Sequence, residues 1–346
     1  MGKGINMDRR FLIKAIGGIA LGAASASGVG PALAQDMPKV EWILTSTETT
    51  KGHHTVQDLQ KFADGVAKRT DGRFTIRVAL EGELGFKRDA YVRALQRNQI
   101  QMSTFDPGFL TAQVPHLGVF NLTFLQDGSL DQLMAIEEAT RPMTVEAFRR
   151  LNAEPIAWFA LTTQELISRE PIENFVDLKG TKIRVWRELD AKLIEKMNGV
   201  PVYMPGSEVY TAMQRGVVTA ANTGTPAMVD RSLHEVGKYL YRFGGPPASQ
   251  YLVYNIQAFD SLPNAYKRAL FQEGWALTDR AKRTVLDEDG KAVEVMTKAG
   301  VKEYQIPADQ RAKLRELAGP LWDEWAAKDP QNAAALAAAK QALGLK

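Results

Sequence analysis

The 346-residue sequence contains no cysteine. That excludes a disulfide framework, a thiolate nucleophile, a Cys-ligated metal and a lipid-anchored lipoprotein. Histidine is scarce, at four residues. The one adjacent pair, His53-His54, would point in different directions on a helix or strand, so joint metal ligation is not expected. No Gly-x-Ser-x-Gly elbow, phosphate-binding Gly loop with Lys-Ser/Thr, or His-Glu-x-x-His is present. Charge of one sign is also lacking: 43 Lys+Arg face 40 Asp+Glu, a net of +3. So small an excess gives no case for nucleic-acid binding, which needs a concentrated basic face. No period of 20–50 residues recurs, which argues against a solenoid.

What is present begins with the placement of that charge. Residues 1–34 carry Lys3, Arg9, Arg10 and Lys14 against Asp8 alone, so the rest of the chain is balanced at 39 of each sign. An uncharged Gly-rich stretch, Ala15 to Leu33, follows and closes at Ala32-Leu33-Ala34. A basic region, a modest apolar region and a small-x-small site form an export signal. The pair Arg9-Arg10, followed by Phe11-Leu12-Ile13-Lys14, resembles a twin-arginine signal. The expected mature chain starts near Gln35, in the periplasm, with no membrane anchor.

Helical and strand patterns alternate over the remainder. Val40 to Thr45 reads as a strand. Val56, Leu59, Phe62, Ala63 and Val66 form one helical stripe that ends at Thr70-Asp71-Gly72. Further strands are expected at Phe74 to Leu80, Ile100 to Phe105, Pro155 to Ala160, Lys182 to Trp186, Val217 to Asn222 and Tyr251 to Ile256. Ser207 is placed to cap a short helix that Gly216 ends. Pro263 opens a long helix with a break expected at Gly274, and Leu314, Leu317, Leu321, Trp322 and Trp325 share a later stripe. The alternation implies α/β architecture with mostly parallel sheets. Composition breaks at Leu161-Thr162-Thr163 and Gly244-Gly245-Pro246-Pro247 suggest two lobes with a ligand cleft between them.

Asp177-Leu178-Lys179-Gly180-Thr181-Lys182-Ile183-Arg184-Val185-Trp186 is the most informative segment. On a strand, Arg184 and Trp186 share one face, and ligands in open α/β sheets bind beyond strand carboxyl ends. Arg184 then offers a planar two-pronged donor to a carboxylate, walled by Trp186. A surface Arg paired with an acid, beside a core Trp, fits the same spacing. His116 and His234 are isolated, and no catalytic constellation emerges.

The same segment, with Pro171-Ile172, Gly199-Val200-Pro201-Val202 and the run Ser207-Glu208-Val209-Tyr210-Thr211-Ala212-Met213-Gln214-Arg215-Gly216-Val217-Val218, resembles the periplasmic substrate-binding subunit of tripartite ATP-independent periplasmic (TRAP) transporters. Thr70-Asp71-Gly72-Arg73-Phe74, Gly82-Glu83-Leu84-Gly85, Phe120-Asn121-Leu122-Thr123-Phe124-Leu125, Glu235-Val236-Gly237-Lys238-Tyr239 and Ser261-Leu262-Pro263 extend the resemblance over essentially the whole mature chain. It implies a two-lobed periplasmic-binding-protein-like α/β fold with a long connecting helix. The expected lobes are 35–161 plus 249–288 and 162–248 plus 289–346. It also implies capture of a small carboxylate, salt-bridged to Arg184, and delivery to the large and small integral-membrane subunits of a sodium-driven transporter. No reaction and no cofactor are implied, and a ligand-bridging metal ion is not indicated.

Departures from the family pattern shape the expected site. The usual Asp-Gly-x-Glu-Asn is replaced by Thr219-Ala220-Ala221-Asn222-Thr223, which leaves Asn222 or Thr223 for the amide contact. Gln164 stands where some branches carry a second Arg, and one fixed cation suits a monocarboxylate. Trp158, Phe159, Trp186, Tyr210 and Met213 are candidate walls. Glu48, Phe86, Asp106 and Asn255 sit after strands or in loops where the family contacts its ligand. A binding protein of another uptake or sensing system, or an exported α/β enzyme, are the alternative readings.

Overall fold

The computed structural model describes residues 37–48, 50–85, 88–126 and 128–345; the expected export signal at 1–34 and Phe86 lie outside the described residues. The chain first forms β1 (Val40–Thr45), α1 (His54–Arg69), β2 (Phe74–Ala79), α2 (Arg88–Gln96), β3 (Met102–Phe105), α3 (Leu130–Arg150) and β4 (Ala153–Ala160). It continues with β5 (Gln164–Ser168), β6 (Lys182–Val185), α4 (Glu188–Lys196), β7 (Val200–Tyr203), α5 (Val209–Gln214) and β8 (Ala220–Gly224). Next come α6 (Thr225–Asp230), α7 (Leu233–Val236), β9 (Tyr239–Arg242), β10 (Ser249–Asn255) and α8 (Ile256–Asp260). The last elements are α9 (Asn264–Lys298), β11 (Lys302–Gln305), α10 (Ala308–Ala326) and α11 (Pro330–Ala342).

Two sheets carry the two lobes, in the orders β2-β1-β3-β10-β4 and β11-β9-β5-β8-β6-β7. The sheets are mixed, not mostly parallel. In the first, β10 runs antiparallel to both β3 and β4; in the second, β5 runs antiparallel to β8 and β9. The reversals fall at β5 and β10, where the chain passes from one sheet to the other. The two crossing segments pair with each other, through Leu161 N–H to Ala248 O at 2.7 Å and Gly245 N–H to Gln164 O at 3.0 Å. Glu165 laces them side chain to chain. Its carboxylate accepts from Thr163 Oγ1 at 2.6 Å and from Gly244 N–H at 2.9 Å. Burial pushes its pKa up, against the pull of Arg242.

Local chemistry explains the elements that frame the first lobe. The apolar stripe of α1 is buried in full from Val56 to Val66. The helix stops where Asp71 and Gly72 take φ of 49° and 71°, the left-handed turn that the sequence signals. In β2, Phe74 and Ile76 are buried while Thr75 and Arg77 are exposed, the expected period of two. Phe74 packs edge-on against Trp42 at 5.0 Å and against Tyr266 of α9 at 5.5 Å.

The long helix is unbroken. At 35 residues, α9 is about 52 Å long at 1.5 Å per residue. It packs on α1 and β4 in the first lobe and on α6 in the second. Gly274 marks a close approach instead of the expected break, since a Cβ there would meet Ile156 O at 2.9 Å. Ser207 lies inside a short 3₁₀ turn, Gly206–Glu208, and Glu208 precedes α5 without a side-chain cap, so the expected capping by Ser207 does not occur. The C-terminal segment divides its packing: α10 contacts α4, whereas α11 packs on α3 and on the 3₁₀ segment Pro115–Asn121. Among the described residues no helix is long and apolar enough to cross a membrane.

Candidate functional site

The two crossing segments bring one edge of each sheet to a common cleft. On the first sheet this edge holds the carboxyl ends of β1, β2 and β3 and the start of β10, as the pairing of Phe105 with Tyr251 fixes. On the second it holds the ends of β6 and β8 and the start of β5, with Gln164 opposite Gly224. Both edges are the carboxyl ends of parallel strands, where α/β sheets bind ligands.

Five expected residues meet on the second-sheet edge. Arg184 is 4% exposed. Its Nε donates to Met204 O at 3.2 Å and its Nη1 to Asn222 O at 3.0 Å, so two backbone carbonyls set the plane of the guanidinium. Asn222 is buried, and its Oδ1 has no hydrogen-bond partner. Thr223 accepts from Arg231 Nη1 at 3.2 Å. Trp186 donates from Nε1 to Gln164 Oε1 at 3.3 Å, which orients the Gln164 amide. The opposite expectation, a surface Arg184 on an acid, is not what forms.

The first-sheet edge carries Glu48 and Asp106. Gln250 Nε2 donates to Glu48 Oε1 and to Thr47 Oγ1, both at 3.0 Å. Asp106 accepts from Gly108 N–H at 2.7 Å, capping the 3₁₀ turn Pro107–Phe109. That cap presents Phe109, which stacks on Trp186 at 5.3 Å and so joins the two edges. A second link is made by His53. Its Nδ1 accepts from Thr55 N–H at 3.2 Å, which leaves the proton on Nε2. Nε2 lies 3.8 Å from both Glu48 Oε2 and Asp230 Oδ2, one carboxylate from each lobe. Burial pushes the Asp230 pKa up, against His53 and Arg231. His54 stacks on His53 at 4.5 Å, and burial, with His53 beside it, lowers its pKa to about 4.

Asn255 is not brought to this site. It ends β10, which runs antiparallel to β3, so it lies at the far end of the sheet from Ser249 and Gln250. Its side chain is consumed there: Oδ1 caps α8 by accepting from Ala258 N–H, and Nδ2 donates to Leu95 O, both at 2.8 Å. Among the candidate walls, Met213 is fully buried in the core of the second lobe, and Tyr210 donates to Glu235 at 2.9 Å on an exposed face. Trp158 and Phe159 belong to β4, Trp158 packing near Phe120.

Several cleft residues escaped the sequence reading. Gln250, Arg187 and Asp190 are each buried, and each has a polar atom with no hydrogen-bond partner. An Arg or Asp at the start of a helix reads as a solvated charge, and Gln250 sits next to Ser249 at the polar start of its strand. No cluster of three or more His, Asp or Glu among the described residues could hold a metal ion.

A family model, Bacterial extracellular solute-binding protein, family 7, matches residues 45–329. The C4-dicarboxylate-binding periplasmic protein DctP of Rhodobacter capsulatus is 26% identical over 329 residues, covering 92% of this chain and 95% of that protein. DctP7 of Bordetella pertussis, an extracytoplasmic solute receptor binding pyroglutamic acid, has a similar structure. Its TM-score is 0.81 at 22% identity, over 87% of this chain and 99% of that one. A TRAP periplasmic solute-binding protein of Desulfovibrio salexigens, with bound orotic acid, gives the same TM-score and identity over 88% and 99%. These relatives are receptors and not enzymes, and they act outside the cytoplasm. The chain belongs to the bacterial extracellular solute-binding proteins of family 7, the substrate-binding subunits of TRAP transporters.

Proposed function

We propose that the protein captures a small organic acid, a monocarboxylate, in the cleft between its lobes, with the ligand carboxylate on Arg184. It then delivers the acid to the large and small integral-membrane subunits of a sodium-driven TRAP transporter. The observation that carries this reading is the buried Arg184 guanidinium at the carboxyl end of β6, held in plane by Met204 O and Asn222 O. A planar fork fixed in a low-dielectric cleft favours a carboxylate over a neutral group. Gln164, Asn222 and Thr223 add neutral polar atoms beside it. Pyroglutamate and orotate, bound by two similar receptors, each carry one carboxylate, whereas DctP of Rhodobacter capsulatus is named for C4-dicarboxylates. The ligand acts by differential affinity: an acid that touches both edges binds the closed form better and shifts the population to it. Export through the expected signal at 1–34 places the receptor in the periplasm.

A thermal-shift panel of monocarboxylates and dicarboxylates tests this. Stabilisation by one or more carboxylates, lost in Arg184→Ala, is the expected result. A panel in which no carboxylate stabilises the folded protein would sink the reading.

A further inference from the structure

Arg187 occupies a position that disfavours it twice. It is the residue preceding α4, where Ser, Thr, Asp or Asn normally caps the helix by accepting a hydrogen bond. Arginine has no acceptor, and it makes no capping bond here. Its charge also sits at the helix end where the backbone dipole favours anions. Despite this the side chain is buried, at 4% exposure, and none of Nε, Nη1 and Nη2 finds a hydrogen-bond acceptor. Its guanidinium carbon lies 4.0 Å from the centroid of the Trp186 ring, the same ring that bonds Gln164 and stacks on Phe109. Arg187 is therefore packed against the indole that walls the cleft.

The nearby counter-charge is Asp190, one turn along α4. Asp190 Oδ1 accepts from Thr123 Oγ1 at 3.1 Å, and Trp322 Nε1 donates to Thr123 O at 3.0 Å, so the carboxylate is anchored from the other side. Asp190 Oδ2 is buried without a partner. Burial pushes the Asp190 pKa up, against the pull of Arg187, Thr123 and Arg184.

We propose that Arg187 is a second ligand-binding residue, donating to a neutral oxygen of the same acid whose carboxylate sits on Arg184. Asp190, which acts on that guanidinium through its charge and not through a direct bond, is the positioning residue. The substrate class is thereby narrowed to monocarboxylates with a further acceptor oxygen: hydroxy acids, oxo acids and cyclic-amide acids. This rests on the reading of the cleft proposed above.

The test is calorimetric titration with matched pairs that differ in that oxygen, lactate against propionate and pyroglutamate against cyclopentanecarboxylate, with succinate as the dicarboxylate. Wild type, Arg187→Met, Arg187→Lys and Asp190→Asn are compared, with the fold of each checked by circular dichroism. Charged hydrogen bonds discriminate strongly against a partner lacking the acceptor. The oxygenated member of at least one pair should bind wild type at least about tenfold tighter. Arg187→Met should erase that preference by weakening the oxygenated acid more than the plain one, and Asp190→Asn should reduce the preference. Should Arg187→Met fail to fold, Arg187→Lys, which keeps the charge and loses the planar fork, should still narrow the preference. A preference unchanged in the folded Arg187 variants overturns the proposal alone, leaving Arg187 as a structural partner of Asp190. Succinate binding tighter than every monocarboxylate overturns the monocarboxylate class. Binding of no acid by wild type overturns the cleft reading and this proposal with it.

Discussion

The two edges of the cleft are built from different chemistry. The second-sheet edge carries the guanidiniums of Arg184, Arg187 and Arg231. Arg184 is held by two main-chain carbonyls, Asn222 O in β8 and Met204 O just past the end of β7. The first-sheet edge carries Glu48, His53, His54 and Asp106, all titratable. Glu48 is held by another side chain, Gln250, and not by the sheet. The Arg184 guanidinium is thus fixed by main-chain oxygens, whereas the Glu48 carboxylate is met by side chains.

The comparison breaks most decisively at Arg184. Arg184→Ala should weaken binding of the best-stabilising acid by ~2–5 kcal/mol, because it leaves a buried carboxylate without its partner. Calorimetric titration reads the loss, and circular dichroism should show the fold retained. A loss of this size is not expected from any single substitution on the opposite edge.

The next largest effect concerns pH and belongs to the first edge. His54 titrates at about 4 in the folded protein, below the ordinary 6.5, because burial disfavours its charged form. Between those values the unfolded chain binds the proton and the native state does not. The stability His54 contributes is therefore full above pH ~6.5 and is lost as pH falls towards 4, by up to roughly 3 kcal/mol. Urea unfolding at pH 7 and pH 4.5 should show a smaller acid loss in His54→Gln than in wild type.

Where the edges touch, Phe109 and Trp186 stack. Phe109→Ala should weaken binding by ~0.5–1.5 kcal/mol, the worth of an aromatic pair, by loosening the closed form and not the anchor. The smallest effect is expected at Tyr210→Phe. Its hydroxyl donates to Glu235 on an exposed face, so affinity and melting temperature should both stay essentially unchanged, read by titration and thermal melting.

Much of this was legible in the sequence, for reasons that differ by element. The α1 stripe and the alternation of β2 are local patterns with one buried face, so they declare themselves. Arg184 could be placed because its strand pattern, the rule for strand ends and the family resemblance coincide. Strand direction was not legible: β10 and β5 reverse because the chain crosses between sheets there, and that error put Asn255 at the wrong end of its strand. β5 is buried on both faces and shows no alternation. The burial of Gln250 depends on Thr47 and Glu48, some two hundred residues away, and that of Asp190 on Thr123 and Trp322. Long-range packing of this kind turns an apparently solvated charge into a cleft residue.

The most direct test of the anchor is native mass spectrometry of wild type and Arg184→Ala, each purified and then offered the acid that most stabilises wild type. The account predicts one acid per wild-type chain and none on the folded Arg184→Ala chain. Equal occupancy of the two would contradict it.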